Sequence, residues 1–196
     1  MKLVSNVYAY LCLCFFTLPA FADDLSSVPD KKKTKAGLYV TSSEAAELLR
    51  DDNVILLDVR SRPEVTFVGL ATRVDVHIPL MVMPKNVRYD PGKKGYQLEP
   101  NLAFEFDFLD YAEAHGIEDE TPIVVMCRSG SRSAKAVNLL YDLGYTNAYS
   151  LVDGFEGDKA KAGDMAGQRV VNGWKNAGLA WGYAIEPSQV YPADLN

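Results

Sequence analysis

One strand of this chain ends on a cysteine, and a helix starts within a few residues of it. This junction restricts the fold more than any other feature. Pro122-Ile123-Val124-Val125-Met126 is a short apolar run, Cys127-Arg128-Ser129-Gly130-Ser131-Arg132-Ser133 follows it, and a helical pattern runs from Ala134 to Leu143. Ala136, Leu139, Leu140 and Leu143 share one face of that pattern, while Lys135, Asn138 and Asp142 share the other. A short apolar run bounded by turn residues reads as a buried strand. Backbone N–H groups at a strand-to-helix turn point inward and favour an anion. A thiol placed there is biased toward thiolate, and Arg128 and Arg132 add positive charge beside it. The pattern describes a nucleophilic cysteine in an anion-binding cradle. The competing reading is an inert, buried cysteine. Two arginines and a loop glycine argue against it.

The same alternation continues along the chain. Leu38 to Val40 reads as a first strand. Thr41-Ser42-Ser43-Glu44 has capping-box spacing and opens a short helix with Ala45, Leu48 and Leu49 on its apolar face. Val54 to Val59 is apolar enough for a strand covered on both faces. A helical turn starts near Pro63, and Val74 to Ile78 is a third strand closed by Pro79. Pro84 to Pro100 is turn-rich and basic, and is expected as a long functional or mobile loop. Asn101 is expected to cap the next helix. Its apolar stripe reads as Leu102, Phe106 and Leu109, widened by Phe104, Phe108 and Tyr111, and it ends at His115-Gly116. After the cysteine helix, stopped by Gly144, Ala148 to Val152 is a fifth strand. Asp153 to Gly167 reads as an exposed loop, and Val171 and Trp174 open a last helix ending at Gly178. Strands alternating with helices predict an α/β fold with a central, mostly parallel, five-stranded sheet flanked by helices.

The first residues read as a targeting segment. Val7 to Leu18 is apolar, and Ala20-Phe21-Ala22 has the small-x-small pattern of a secretory cleavage site. Residues 1–22 are therefore expected to be a signal peptide, 23–37 a flexible leader with Lys31-Lys32-Lys33 in solvent, 38–185 a single domain, and 186–196 a C-terminal tail. Cleavage would remove Cys12 and Cys14 and leave Cys127 alone, which excludes an internal disulfide and suggests a reactive thiol. Periplasmic or secreted localisation follows. The formal charge of −6 disfavours nucleic acid and anionic membrane surfaces as partners. His77 and His115 are the only histidines, and they are far apart, so no zinc spacing exists and neither metal nor cofactor is expected. His115 reads as a helix-end residue, His77 as a strand-end residue, and Trp174 and Trp181 as core or rim aromatics.

Three blocks resemble the rhodanese (sulfurtransferase) family: Asp58-Val59-Arg60 with Pro63-Glu64, the loop Cys127 to Ser133, and Gly173-Trp174-Lys175-Asn176-Ala177-Gly178-Leu179. With the order of elements, the resemblance runs from about Leu38 to Trp181, and it is to the single-domain exported bacterial type. It implies that Cys127 takes a sulfane sulfur from a donor such as thiosulfate, becomes a persulfide, and passes the sulfur to cyanide, a thiol or a protein partner. Arg128 and Arg132 are then expected to meet the anionic donor, with Arg132 alternatively bracing the loop. Ser129, Ser131 and Ser133 can donate hydrogen bonds, and Ser133 reads first as a helix cap. Gly130 gives the loop conformational room. Asp58 and Arg60 are implied to be supporting residues. In place of the family's usual Gly-His-Ile-Pro-Gly-Ala motif, the chain has Gly69-Leu70-Ala71 and, later, His77-Ile78-Pro79. Pro84 to Pro100 and the stretch between Glu156 and Trp174 are longer than the family's usual spacing, so either could cover the pocket or recruit a partner. The alternatives are a persulfide carrier or protein-interaction module, and more remotely a phosphatase or arsenate reductase. Phosphatase chemistry needs an arginine six positions after the cysteine, whereas here Arg132 comes five after and Ser133 holds the sixth.

Overall fold

The computed structural model describes residues 28–191, so the expected signal peptide at 1–22 lies outside the described residues. In chain order these carry β1 (Tyr39–Val40), α1 (Ser42–Leu48), β2 (Ile55–Asp58), α2 (Arg62–Val68), β3 (Leu70–Ala71) and β4 (Val76–His77). Next come β5 (Met81–Val82), β6 (Tyr89–Asp90), β7 (Gly95–Tyr96), β8 (Glu99–Pro100) and α3 (Phe104–His115). The chain then runs through β9 (Ile123–Met126), α4 (Ser131–Asp142), β10 (Ala148–Leu151) and β11 (Trp181–Gly182). The five strands expected from the sequence form one sheet in the order β1-β10-β9-β2-β4. Every pairing in it is parallel.

Side chains alternate across this sheet, as the pleat requires. Val125 and Leu57 pack with Phe104, Phe108, Val137 and Leu140 on one side. Val124, Met126 and Leu56 pack with Val65, Phe155 and Trp174 on the other. The register of β2 with β9 places Asp58 opposite Met126, and Val59 N–H continues the ladder to the Met126 carbonyl at 2.8 Å. The two strands therefore end side by side. Asp58 to Arg60 and Cys127 leave the sheet at the same edge, where open α/β sheets bind ligands.

Local chemistry sets the helix starts. Thr41 and Glu44 form the expected capping box, with Thr41 N–H donating to Glu44 Oε2 at 2.7 Å. Ser61 and Glu64 form a second box at the start of α2. Helix α3 departs from expectation. Its buried face is Phe104, Phe108, Tyr111 and Ala112, while Leu102, Phe106 and Leu109 are 95%, 72% and 41% exposed. The buried set follows i, i+4, i+7, i+8 spacing; Phe106 and Leu109 sit on the solvent side of the same helix, and Leu102 precedes it. Asn101 lies two residues ahead of the cap position, Ala103, accepting from Ala103 N–H and donating to the Pro79 carbonyl. His115 ends the helix as expected, its Nδ1 2.8 Å from the Tyr111 carbonyl.

Other segments are also more structured or differently structured than expected. Pro84 to Pro100 is no irregular loop: β5 pairs with β8, and β6 with β7, in nested antiparallel ladders. Asp153 and Phe155, expected in an exposed loop, are buried. The expected last helix is a single turn, with Ala177 N–H on the Gly173 carbonyl, before β11 pairs antiparallel with β3. The chain must leave helical geometry there to reach that ladder. Lys32, expected on a solvated leader, is 5% exposed. Near the other end, Gln189 is buried and donates to the Val74 carbonyl, and Val190 bridges His77, covering the open edge of β4.

Candidate active site

Cys127 follows β9 directly and is 2% exposed. Its Sγ accepts a hydrogen bond from Gly130 N–H at 3.2 Å. The carbonyls of the loop are held from the opposite side. Phe155 N–H donates to the Cys127 carbonyl at 2.7 Å, and Glu156 and Gly157 N–H donate to the Arg128 carbonyl at 3.0 and 3.2 Å. In a planar trans peptide the carbonyl and the following N–H point in opposite directions. Anchoring these carbonyls on the 155–157 turn therefore directs the Arg128 and Ser129 N–H groups away from that turn, into the loop. Two glycines make the arrangement possible. Gly130 has φ +93°, and a Cβ there would strike the Val152 carbonyl. A Cβ on Gly154 would lie within 2.6 Å of Cys127 O, Arg128 C and Ser129 N.

Arg132, two residues after Gly130, is clamped rather than free. Its Nη1 and Nη2 each meet a Glu64 oxygen at 2.6 Å. Glu64 Oε2 also accepts from Ser61 N–H and Oγ. Burial alone would raise the Glu64 pKa, but the Arg132 hydrogen bonds and charge, with the Ser61 donors, hold the carboxyl at about 2. For Arg132, burial opposes the charge. Glu64 outweighs it, Cys127 and Asp58 add in the same direction, and the guanidinium pKa is raised. The clamp ties α4 to α2 and fixes the positive charge of Arg132, which interacts electrostatically with Cys127.

Beneath the loop lies a second ion pair, Asp58 and Arg60, both fully buried. Asp58 accepts from Arg60 N–H, Nε and Nη2, and Nη2 also donates to the Gly69 carbonyl. The guanidinium lies 3.9 Å from the centroid of Phe155, the same residue whose N–H holds the Cys127 carbonyl. His77, in register with Asp58, sits with Nε2 2.7 Å from the Arg60 carbonyl. Burial lowers its pKa against the pull of Asp58. The imidazole is thus neutral and donates through Nε2.

A cleft of about 360 Å³ opens over the loop, lined by Arg128 and Arg132 from the loop, Ser61 and Val68 from α2 and its cap, and Tyr96 and Leu98 from the β-hairpin arm. The 84–100 segment thus forms one wall of the pocket. Arg128 is exposed at its rim.

A model of the rhodanese-like domain matches residues 41–161. The chain belongs to the rhodanese-like family. It is 33% identical over 145 residues to an uncharacterised protein of Rickettsia conorii, covering 72% of this chain and 94% of that one. A 41-residue stretch is 46% identical to the thiosulfate sulfurtransferase GlpE of Tolumonas auensis, 21% of this chain and 39% of the relative. Among solved structures, Rv0390 from M. tuberculosis aligns at TM-score 0.54 and 28% identity, over 74% of this chain and 96% of that one.

The rhodanese-like fold brings together all nine residues singled out in the sequence: Cys127 to Ser133 form the loop and the first turn of α4, and Asp58 and Arg60 lie beneath it at and just after the end of β2. Their individual positions refine the expectations. Arg132 braces the loop. Ser133 is not a cap, because Gly130 holds the cap position; its hydroxyl is buried without a partner among the described residues. Ser129 and Ser131 are half-buried. Three residues went unrecognised. Glu64 was noted only as part of a motif, and its bond to Arg132 spans 68 positions. Asp153 accepts from Ser42 N–H and Oγ and from Gly173 N–H, joining α1 to the C-terminal motif. Lys32 Nζ donates to the Val152 carbonyl at 2.8 Å and pairs with Asp158 at 3.2 Å, bracing the strand end that Gly130 packs against. An odd lysine in a polar run carries no signal of such burial.

Proposed function

We propose that this protein is a sulfurtransferase that moves a sulfane sulfur from a donor such as thiosulfate, through a persulfide on Cys127, to a thiophilic acceptor: cyanide or a thiol. The observation that carries this is the Cys127 Sγ seated on Gly130 N–H, inside a loop whose Cys127 and Arg128 carbonyls are turned outward by Phe155, Glu156 and Gly157. The thiolate attacks the outer sulfur of thiosulfate, an S–S bond forms to Cys127, the donor S–S bond breaks, and sulfite leaves with the electron pair. Charge is conserved, because a thiolate and a dianion become a persulfide anion and sulfite. Arg128 attracts the donor and the departing sulfite, the inward N–H groups hold the persulfide, and Arg132 supplies fixed positive charge without leaving Glu64. The acceptor then attacks the terminal sulfur and restores the thiolate. Phosphatase chemistry fits less well, since Ser133 stands six positions after Cys127 where that chemistry needs an arginine, and Arg132, five after, is paired with Glu64.

A protein acceptor is the second reading. It is favoured by Met83, Tyr89 and Tyr96, apolar side chains exposed on the arm beside the cleft. Export to the periplasm by cleavage after Ala22 completes the proposal, with no nucleic acid or membrane partner thereafter. Among the described residues, no helix is long and apolar enough to cross a membrane.

Thiocyanate formation from thiosulfate and cyanide tests the activity. Cys127→Ser is expected to abolish it and Arg128→Ala to raise the KM for thiosulfate about tenfold. Full activity in the serine variant would refute the role of Cys127. An N-terminal mass beginning at Asp23 in protein recovered from cells is expected; an intact Met1 would refute export by cleavage.

A further inference from the structure

The cleft over the cysteine loop is the middle of three adjoining cavities. It shares Pro63 and Met83 with a cavity of about 420 Å³ that runs on past Val82 and Asp107. On its other side it shares Leu98 with a cavity of about 490 Å³ in the arm, lined by Lys85, Arg88 and Glu99. The three form one groove that crosses the mouth of the loop. The arm is bonded into its shape: β5 pairs with β8, β6 pairs with β7, and Gln97 N–H donates to the Arg88 carbonyl at 2.9 Å. Tyr96 meets Tyr89 edge to face at 6.3 Å and also lines the cleft. Residues 84–100 carry four cations, Lys85, Arg88, Lys93 and Lys94, against the two carboxylates of Asp90 and Glu99, in a chain of net charge −6. Lys93 is paired with Asp90 at the tip of the arm. Lys85, Arg88 and the rim residue Arg128 are exposed, and among the described residues none of them enters an ion pair. Free cations beside exposed aromatic side chains, on an otherwise acidic protein, complement an acidic partner surface. Cys127 is 2% exposed, so a thiol on a folded partner reaches its sulfur only from a projecting segment.

We propose that this groove receives an extended acidic segment of a partner protein, whose cysteine takes the sulfur from Cys127 while its carboxylates lie against Lys85, Arg88 and Arg128. The proposal rests on the sulfurtransferase reading of Cys127 and names the class of acceptor for that site. In the transfer, the partner's thiolate attacks the terminal sulfur of the Cys127 persulfide. A new S–S bond forms on the partner, the S–S bond to Cys127 breaks, and its electron pair leaves on Cys127 as thiolate. The partner carries away a persulfide, and the total charge is the same before and after.

Protein loaded with thiosulfate and freed of excess donor would be discharged into three acceptors: a peptide with a central cysteine flanked by glutamates, the same peptide with glutamines in their place, and cyanide. Intact mass follows the sulfur on protein and peptide. Lys85→Glu combined with Arg88→Glu is expected to slow discharge into the glutamate peptide about tenfold at low salt, through KM, and discharge into the glutamine peptide and cyanide by no more than about twofold. The neutral pair Lys85→Gln and Arg88→Gln is expected to give an intermediate loss, and salt to narrow the difference. An unchanged rate into the glutamate peptide, or an equal slowing toward all three acceptors, would overturn the proposal. A parent that sediments as a dimer, with the doubly reversed variant a monomer, would assign the arm to a second copy of this chain and overturn it too. Loading followed by discharge into cyanide but into neither peptide would overturn this proposal alone. Failure of the parent to load would overturn the sulfurtransferase reading and this proposal with it.

Discussion

Glu64→Gln removes one charge from the clamp that fixes Arg132 while keeping the side chain's shape. The folded carboxyl is held at about 2 against an ordinary 4.5, which corresponds to about 3 kcal/mol of stability at neutral pH. The two side chains remain 17% and 15% exposed, so a cost of about 2–3 kcal/mol is expected rather than the larger penalty of a fully buried pair. The folded pKa lies below the unfolded one. The stabilisation is therefore complete above about pH 4.5 and is lost as pH falls through about 2. Urea unfolding followed by the fluorescence of Trp174 and Trp181, at a series of pH values, measures this. The parent is expected to exceed the variant by a constant margin from pH 8 to about 5, and the margin to shrink in acid. A double-mutant cycle with Arg132→Ala is expected to return a coupling of about 2 kcal/mol. Equal stability at neutral pH, or a margin that widens in acid, would refute the clamp.

Other parts of the site make their own predictions. Gly130→Ala, at φ +93° with its new Cβ against the Val152 carbonyl, is expected to cost at least about 2 kcal/mol and to lower sulfur loading, read by urea unfolding and intact mass. Asp58→Asn strips the paired carboxylate from a fully buried guanidinium and is expected to cost about 3–5 kcal/mol, seen as a large fall in Tm and soluble yield. Lys32→Met removes the bonds to Val152 and Asp158 and is expected to cost about 1–3 kcal/mol, with faster proteolysis near residue 158.

The sheet was legible because its strands are continuous apolar runs: Ile123 to Met126, and Leu56 and Leu57, are buried throughout, and such runs have few other uses. The cysteine loop was legible because its chemistry is local, with Cys127, Gly130 and two arginines inside one turn. What distance determines was not. Nothing near Glu64 indicates that Arg132 will reach it, and nothing near Lys32 indicates the Val152 carbonyl. Helix α3 was misread at its face because Leu102, Phe104, Phe106, Phe108, Leu109 and Tyr111 are apolar on nearly every side, so periodicity alone admits two stripes. Burial selects the one that meets Tyr145, whose ring lies 4.9 Å from Phe108. Val171 and Trp174 have helical spacing, but Trp174 is spent in the core with its Nε1 on the Ala180 carbonyl, and the chain turns toward β11 instead. The arm from β5 to β8 was hidden for another reason: its strands are two residues long, below the length at which alternation registers.

The most direct test is the intact mass of the protein after incubation with thiosulfate, beside a Cys127→Ser control. A gain of one sulfur atom in the parent, absent from the serine variant and lost on addition of cyanide, is the predicted result. A folded parent with a free thiol and no added sulfur would contradict it.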